Sequence, residues 1–195
     1  MKTRFNKIDA DWTNVKNKCR TTVNKLYTDN EASPEFKRKL LISEHSPIRL
    51  LNIDWSWILP SYSATHFSRH KWECFIGTQR SDRTGIDRHK ITQDVDVPFD
   101  GYANAQNLID TARKRLCFMA DPVTRSYMED FKRELRGHQI ELSDVLVPNC
   151  IYRCGCPEFE TCGYFKKVIE KCADITNIQE RYNTYNSYFY GGDAD

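Results

Sequence analysis

An alternation of apolar and polar residues between positions 48 and 59 restricts the fold of this chain more than any other feature. Apolar side chains occupy mostly alternate positions in this stretch, at Ile48, Leu50, Ile53, Trp55, Trp57 and Leu59. A period of two places side chains on one face of a β-strand. The stretch therefore predicts a strand with one buried face, and Pro60-Ser61 predicts its end.

Helical patterns surround this predicted strand. Apolar residues recur every three or four positions in residues 11–28 and 104–120, which predicts amphipathic helices, and residues 61–72 and 121–135 are also predicted helices. Ser33-Pro34 predicts one more helix start, because serine caps helices well and proline suits their first turn.

Two stretches lack such periodicity. Residues 77–98 are polar and charged, which predicts a long loop, and loops of that length in compact domains are usually functional or disordered. From Tyr182 onward the chain alternates Tyr and Asn and ends in Gly-Gly-Asp-Ala-Asp. We expect one domain over residues 1–181, followed by a flexible tail over 182–195.

Composition excludes several classes of protein. Lys and Arg total 29 against 27 for Asp and Glu, so the chain is nearly neutral. Its overall electrostatic potential therefore gives no reason to expect nucleic-acid binding. No apolar run approaches the roughly 18 residues of a spanning helix, and the polar start lacks the features of a signal peptide. We therefore expect a soluble, cytoplasmic protein with neither a membrane nor nucleic acid as a partner.

A basic segment over residues 69–83 is the first candidate site. It carries arginines and a lysine with hydroxyl and amide groups between them. Arginine offers a planar fork for phosphate oxygens and lysine a point charge, so the segment has the chemistry of a nucleotide site. A solvated charged loop is the alternative, because most charge clusters are only that.

The segment resembles the nucleotide- and flavin-binding motif of the flavin-dependent thymidylate synthases. That motif begins Arg-His-Arg and continues through Asn-Glu to Ser-x-Arg; this chain has Arg69-His70-Lys71 and then Gln79-Arg80-Ser81-Asp82-Arg83, two residues later than the family spacing. The earlier segment 43–48, Ser-Glu-His-Ser-Pro-Ile, resembles the family's Glu-His segment.

The resemblance implies an α+β fold, with a small sheet covered by helices, and a homotetramer whose active sites draw residues from several subunits. It implies methylation of dUMP to dTMP, with carbon from methylenetetrahydrofolate, electrons from NADPH and FAD as the hydride carrier.

The family's motif also assigns roles by position. His45, Arg69, His70 and Lys71 would lie at the flavin. Gln79, Ser81 and Arg83 would bind dUMP, and Ser81 and Arg83, at its phosphate, are the candidate catalytic residues.

Several positions depart from the family pattern. Lys71 stands where the family has arginine, which removes a planar fork, and Thr78-Gln79 replaces Asn-Glu. Asp144 stands where the family has another arginine, and Arg153 or an arginine of residues 112–115 is the candidate substitute.

The chain has eight cysteines, and a dense group lies in segment 148–172. Cys150, Cys154, Cys156 and Cys162 fall within thirteen residues and predict a metal site, since zinc and iron–sulfur clusters both take four thiolates. Buried free thiols without a metal are the alternative.

Three functions remain open from the sequence. One is methylation of a deoxyuridine nucleotide, or the related hydroxymethylation. The second is nucleotide binding without turnover. The third, nucleic-acid binding through the Cys-rich segment, is weaker because Arg153 is its only cation before Lys166.

Overall fold

The computed structural model describes residues 2–191, which form an α+β domain. Within this range the strands β1 to β4 form one antiparallel four-stranded sheet in the order β1-β2-β4-β3. The strands are β1 Arg4–Asp9, β2 Asn52–Pro60, β3 Glu73–Ile76 and β4 Asp96–Asn104. The helices are α1 Trp12–Thr22, α2 Pro34–Ile42, α3 Ser61–Phe67, α4 Ser81–Thr84, α5 Ala105–Arg115, α6 Pro122–Arg136, α7 Ile140–Val145, α8 Asn149–Arg153, α9 Tyr164–Ile169 and α10 Ile178–Tyr190.

One face of the sheet is buried and carries the core. The alternation predicted for β2 is confirmed for its second half, because Ile53, Trp55, Trp57 and Leu59 are all buried. Phe131 of α6 packs edge-on against Trp55, with ring centroids 5.1 Å apart. The opposite face is polar and partly exposed, although Ile58 and Phe75 lie on it at 61% and 69% exposure.

The pairing of β2 with β4 depends on a glycine. Trp55 lies opposite Gly101 in the antiparallel register. A Cβ atom at position 101 would lie 2.3 Å from the Trp55 side chain. The indole therefore occupies the space that any larger residue on β4 would need.

The predicted helix starts are confirmed where a capping residue marks them. Ser33 caps α2 by accepting a hydrogen bond from the Phe36 amide at 3.2 Å, and Asp121 caps α6 by accepting from the Thr124 amide at 2.8 Å. The first predicted helix is too long, because α1 ends at Thr22 and the apolar Leu26 is 87% exposed.

Strands account for most of the errors in the predicted elements. Residues 46–50 form a 3-10 turn, so β2 begins four residues after the predicted strand start at Ile48. The predicted helix 61–72 ends at Phe67, and the short β3 follows it. The predicted loop 77–98 contains α4 and a 3-10 turn at residues 88–90, and its end, from residue 96, belongs to β4.

The predicted flexible tail from residue 182 is wrong over the described range. Residues 178–190 form α10, capped by the Asn177 side chain, and Tyr182, Tyr185, Tyr188 and Phe189 are buried. These four residues recur at helical spacing, and burying them stabilises an ordered helix against the domain. Residues 192–195 of the predicted tail lie outside the described residues.

No helix within residues 2–191 combines the length and apolar character needed to cross a bilayer.

Candidate active site

The last turn of α5 presents three consecutive cations beside the basic segment. Asn104 caps the helix, and a buried stripe including Leu108, Ile109 and Ala112 fixes which side faces the core. Arg113, Lys114 and Arg115 follow that stripe in the last turn. The helix therefore delivers fixed positive charge to the region where the two motif segments lie.

Arg115 contacts His70, the central residue of the Arg-His-Lys motif. Its Nε donates to His70 Nε2 at 2.7 Å, and its Nη2 donates to the His66 carbonyl at 2.7 Å. Burial, with the Arg115 charge second, lowers the pKa of His70 to about 4. His70 is therefore neutral at pH 7, and its ring proton lies on Nδ1.

The Arg115 guanidinium is itself in a crowded cationic environment. Burial lowers its pKa, and the charge of Arg69 lowers it further. Arg69 is exposed. The charge of Asp121 partly offsets these effects on Arg115. The region still carries more cations than anions from the motif and α5, which favours an anionic ligand.

Two cavities meet at His70. The first, of about 380 Å³, is lined by His70 and Lys71 together with the amides of Asn52, Asn104 and Asn107. The second, of about 230 Å³, is lined by His70, Lys114, Arg115, Cys117 and Glu158 among others. The walls combine cations and neutral amides with one carboxylate each, Glu73 in the first cavity and Glu158 in the second. The cations and amides suit phosphate oxygens and the polar edge of a heterocycle.

Arg113 contacts the other motif segment, residues 43–48. Its guanidinium pairs with Glu44, and its centre lies 3.6 Å from the ring centroid of Tyr152. Gln106 also donates to Glu44, at 2.6 Å. Glu44 adopts a positive φ of 51°, so the backbone before His45 is held in a conformation that costs free energy.

His45 itself is exposed and does not line either cavity at His70. Arg113 and Arg115 are two positions apart, which separates their side chains by about 200° around a helix. The helix α5 therefore anchors both motif segments from different sides and does not bring His45 to His70 within one chain.

The predicted dUMP residues lie on the turn that includes α4. Ser81 accepts a hydrogen bond from the Arg88 amide at 3.0 Å, and Arg83 is exposed. Gln79 Nε2 is buried, with no hydrogen-bond partner in the described part of the chain. Ser81 and Arg83 do not line the cavities at His70, so a single chain leaves the two halves of the motif apart.

Solved structures of similar fold include two proteins that act on uridine nucleotides. One is described as the flavin-dependent thymidylate synthase ThyX from Helicobacter pylori, complexed with FAD and dUMP. It has a TM-score of 0.62 and 10% identity, over 75% of this chain and 100% of that one. The other is described as the UMP/dUMP methylase PolB from Streptomyces cacaoi, bound with 5-Br dUMP. It has a TM-score of 0.59 and 12% identity, over 73% of this chain and 93% of that one.

This chain has the fold of the flavin-dependent thymidylate synthases. The α+β prediction, with a small sheet covered by helices, is thereby confirmed. No protein-family model and no curated protein matches the sequence. The likeness is one of backbone architecture, at identities of 10% and 12%.

The thymidylate synthase fold makes the departures from the family motif easier to interpret. Asp144 stands where the family has an arginine, and it pairs here with Arg136. It also lines a cavity of about 520 Å³ together with Glu35, Arg38 and Lys39. Arg153 is one of the candidate substitutes named from the sequence. Its Nε donates a hydrogen bond to the Asn149 side-chain oxygen at 3.1 Å.

The cysteines of the predicted metal site are only partly brought together. Cys150, Cys156 and Cys162 line one small cavity, and Cys117 from the end of α5 lines it too. Cys154 does not, because its thiol is exposed and donates to the Ile175 carbonyl at 3.3 Å. Among residues 2–191 no three His, Cys, Asp or Glu side chains are already positioned as metal ligands.

The sequence pointed to the α5 arginines only as a group. The sequence places the triplet Arg113-Lys114-Arg115 at the end of a predicted helix. Which of the two arginines contacts the Arg-His-Lys motif depends on how α5 packs. Cys117 is distant in sequence from the other cysteines, so spacing alone does not assign it to their group. Both are contacts between segments that no local spacing encodes.

Proposed function

We propose that this protein methylates dUMP to dTMP, with FAD, NADPH and methylenetetrahydrofolate. The observation that carries the proposal is the 2.7 Å contact from Arg115 to His70. It adds an arginine fork to the Arg-His-Lys motif, at the junction of two cavities, in a chain with the thymidylate synthase fold.

Arg115 offsets the main departure from the family motif. Lys71 has only a point charge where the family has a planar guanidinium. The Arg115 guanidinium lies on the neighbouring wall of the same site, fixed by two hydrogen bonds to residues 66 and 70. Arg69, Lys71 and Arg115 would together bind the phosphates of the cofactor.

The residues present fit a flavin nucleotide in their chemistry. FAD has a pyrophosphate that needs cations and a ring system that needs hydrogen-bond donors and acceptors; when bound, it supplies hydride transfer. The neutral His70 offers a donor at Nδ1, and the asparagine amides of the larger cavity offer both donors and acceptors. The Gln79 amide, which has no acceptor among residues 2–191, lies outside this cavity and is left for the dUMP base.

The proposed roles of the remaining motif residues require more than one subunit. Ser81 and Arg83 would hold the dUMP phosphate, and Gln79 its base, with His45 beside the flavin. A cavity of about 380 Å³ is too small to enclose FAD together with dUMP, because one drug-sized ligand already takes about 300–1,000 Å³. A homotetramer would bring residues of one chain to the His70 cavity of another.

The exposed side of the sheet is a candidate subunit interface in this assembly. Phe75 and Tyr102 line a cavity of about 430 Å³ on that face, together with Asp54 and Asp100. Covering them with another subunit would bury apolar area that is now in water. The cytoplasm, where nucleotides and reduced thiols coexist, is the proposed location.

Nucleotide binding without turnover is the second candidate. The observation that favours it is Asp144, a carboxylate paired with Arg136 at a position where the family has a cation. The family's cation is therefore missing at this position, while the Arg-His-Lys and Ser-x-Arg segments that would bind the phosphates remain. The alternative predicts normal binding of dUMP and FAD with no methylated product.

A two-stage experiment separates these candidates. In the first stage, FAD and dUMP are titrated into the purified protein by calorimetry. In the second stage, NADPH is added and the flavin absorbance is followed. Binding of both ligands, with bleaching that depends on NADPH, supports the enzyme. Binding without bleaching supports the second candidate, and failure to bind either ligand overturns both.

A further inference from the structure

Four cysteines from three segments line a single small cavity. Cys117 follows the end of α5, Cys150 lies on α8, and Cys156 and Cys162 belong to the segment between α8 and α9. The cavity has a volume of about 10 Å³, about the space that one water-sized particle occupies. Its other walls include the rings of Phe118, Tyr164 and Phe165.

We propose that Cys117, Cys150, Cys156 and Cys162 bind one zinc ion. Zinc favours four thiolates in a tetrahedral arrangement, at about 2.3 Å from each sulfur. A cavity of about 10 Å³ suits a single ion and is too small for an iron–sulfur cluster. Each thiol would lose its proton to solvent as its sulfur binds the ion.

Closure of the loop between α8 and α9 accompanies binding. The sulfurs do not yet surround a common point in residues 2–191, so at least one segment must move inward. The segment carrying Cys156 and Cys162 is the mobile partner in this proposal. It is flanked by Gly155, whose Cβ position is open, and by Gly163 at a φ of 79°.

The proposed ligand set differs from the one predicted by sequence spacing. Cys154 ends α8 in a left-handed conformation with φ of 58°, and its thiol bonds to Ile175 outside the cavity. Cys117 replaces it from a distant part of the chain. The site would thus fasten the Cys-rich segment to the end of α5.

This fastening would also affect the candidate active site. Cys117 and Glu158 line both the thiol cavity and the cavity that contains His70 and Arg115. Lys114 of the same helix turn pairs with Glu158 at 3.5 Å. A zinc ion would therefore hold the Arg115 end of α5 in place without touching the ligands of the reaction.

The test compares two matched substitutions, Cys117→Ser and Cys154→Ser. Each purified, reduced protein is stripped with a chelator, supplied with zinc, and its bound metal is measured by mass spectrometry. Wild type and Cys154→Ser should hold one zinc per chain, whereas Cys117→Ser should bind zinc at least about tenfold more weakly. Cobalt supplied instead should give the absorption of a tetrahedral thiolate site.

A second measurement on the wild-type protein remains informative if Cys117→Ser fails to fold. Alkylation of each thiol is mapped by mass spectrometry with and without zinc. Zinc should protect Cys156 and Cys162 and leave Cys154 reactive. Equal zinc content in Cys117→Ser and wild type, protection of Cys154, or no zinc bound by wild type would each overturn the proposal. Such results would leave the flavin and dUMP titrations unaffected.

Discussion

Arg115 donates a hydrogen bond from Nε to Nε2 of His70, joining the end of α5 to the Arg-His-Lys motif over 2.7 Å. The two residues are 45 positions apart, so only the fold brings them together. The contact fixes the imidazole as a neutral acceptor and holds a guanidinium at the junction of two cavities. The proposed ligand site is built around this pair.

Replacing Arg115 with alanine should weaken FAD binding. A lost hydrogen bond to a charged group costs about 1.5–3 kcal/mol, so the Kd should rise roughly ten- to hundred-fold. Lys18→Ala on α1 is the control, because Lys18 is an exposed helical cation that lines neither cavity at His70. Calorimetry on both variants checks this, and an unchanged Kd for Arg115→Ala would show that the fork binds no cofactor.

The protonation of His70 should make the protein less stable in mild acid. Its pKa is about 4 in the folded chain against 6.5 for a free histidine. Between these values the unfolded chain binds the proton more readily, so the stability that His70 contributes above pH 6.5 is lost as the pH falls towards 4.

Urea unfolding of wild type and His70→Gln across that range measures the effect. Glutamine can still accept from Arg115 but does not titrate, so its stability should fall less steeply with decreasing pH. Parallel pH profiles for the two proteins would contradict the assigned environment of His70, as would an NMR titration of His70 near 6.5.

Arg83 should contribute to dUMP binding through the phosphate. Arg83 is exposed in the single chain, but in the proposed tetramer it would be enclosed with the phosphate. Arg83→Ala should then weaken binding by roughly 2–5 kcal/mol, the range for losing one side of a buried charged pair. Arg88→Ala is a suitable control, since Arg88 is an exposed arginine in the same stretch. Calorimetry with dUMP is the measurement, and equal affinity in both variants would remove Arg83 from the site.

Gly101 should tolerate no side chain. A Cβ at this position would lie 2.3 Å from Trp55, so Gly101→Ala must displace the indole or separate β2 from β4. Overpacking of this kind costs about 1–3 kcal/mol. Gly155→Ala is the matched control, because nothing lies within 4 Å of its Cβ position. Equal unfolding midpoints for the two variants would contradict the packing described here.

The elements that could be predicted are those with their own local signal. Ser33 and Asp121 marked helix starts through their capping chemistry, and Trp55 and Trp57 marked a buried strand face through their alternation. The strand β4 also alternates, with Val97, Phe99 and Ala103 buried, but Pro98 and Gly101 obscured it. Proline and glycine disfavour strands in general, and here a neighbouring tryptophan requires the glycine.

The tail and the site needed tertiary information. The tyrosines of α10 looked like a polar repeat, and only burial against the domain makes their spacing a helical stripe. Likewise, the motif predicted that His70 matters but could not indicate that Arg115 faces it. The cysteine spacing favoured Cys154, whereas the fold places Cys117 at the cavity.

The most direct test of the central claim is product analysis. The purified protein is incubated with FAD, NADPH, methylenetetrahydrofolate and dUMP, and the nucleotides are separated and weighed by mass spectrometry. The proposed function predicts dTMP in the complete mixture and none when NADPH or the folate is omitted. Unaltered dUMP from protein that has bound both FAD and dUMP would contradict the claim of catalysis, and a hydroxymethylated nucleotide would contradict the assigned product.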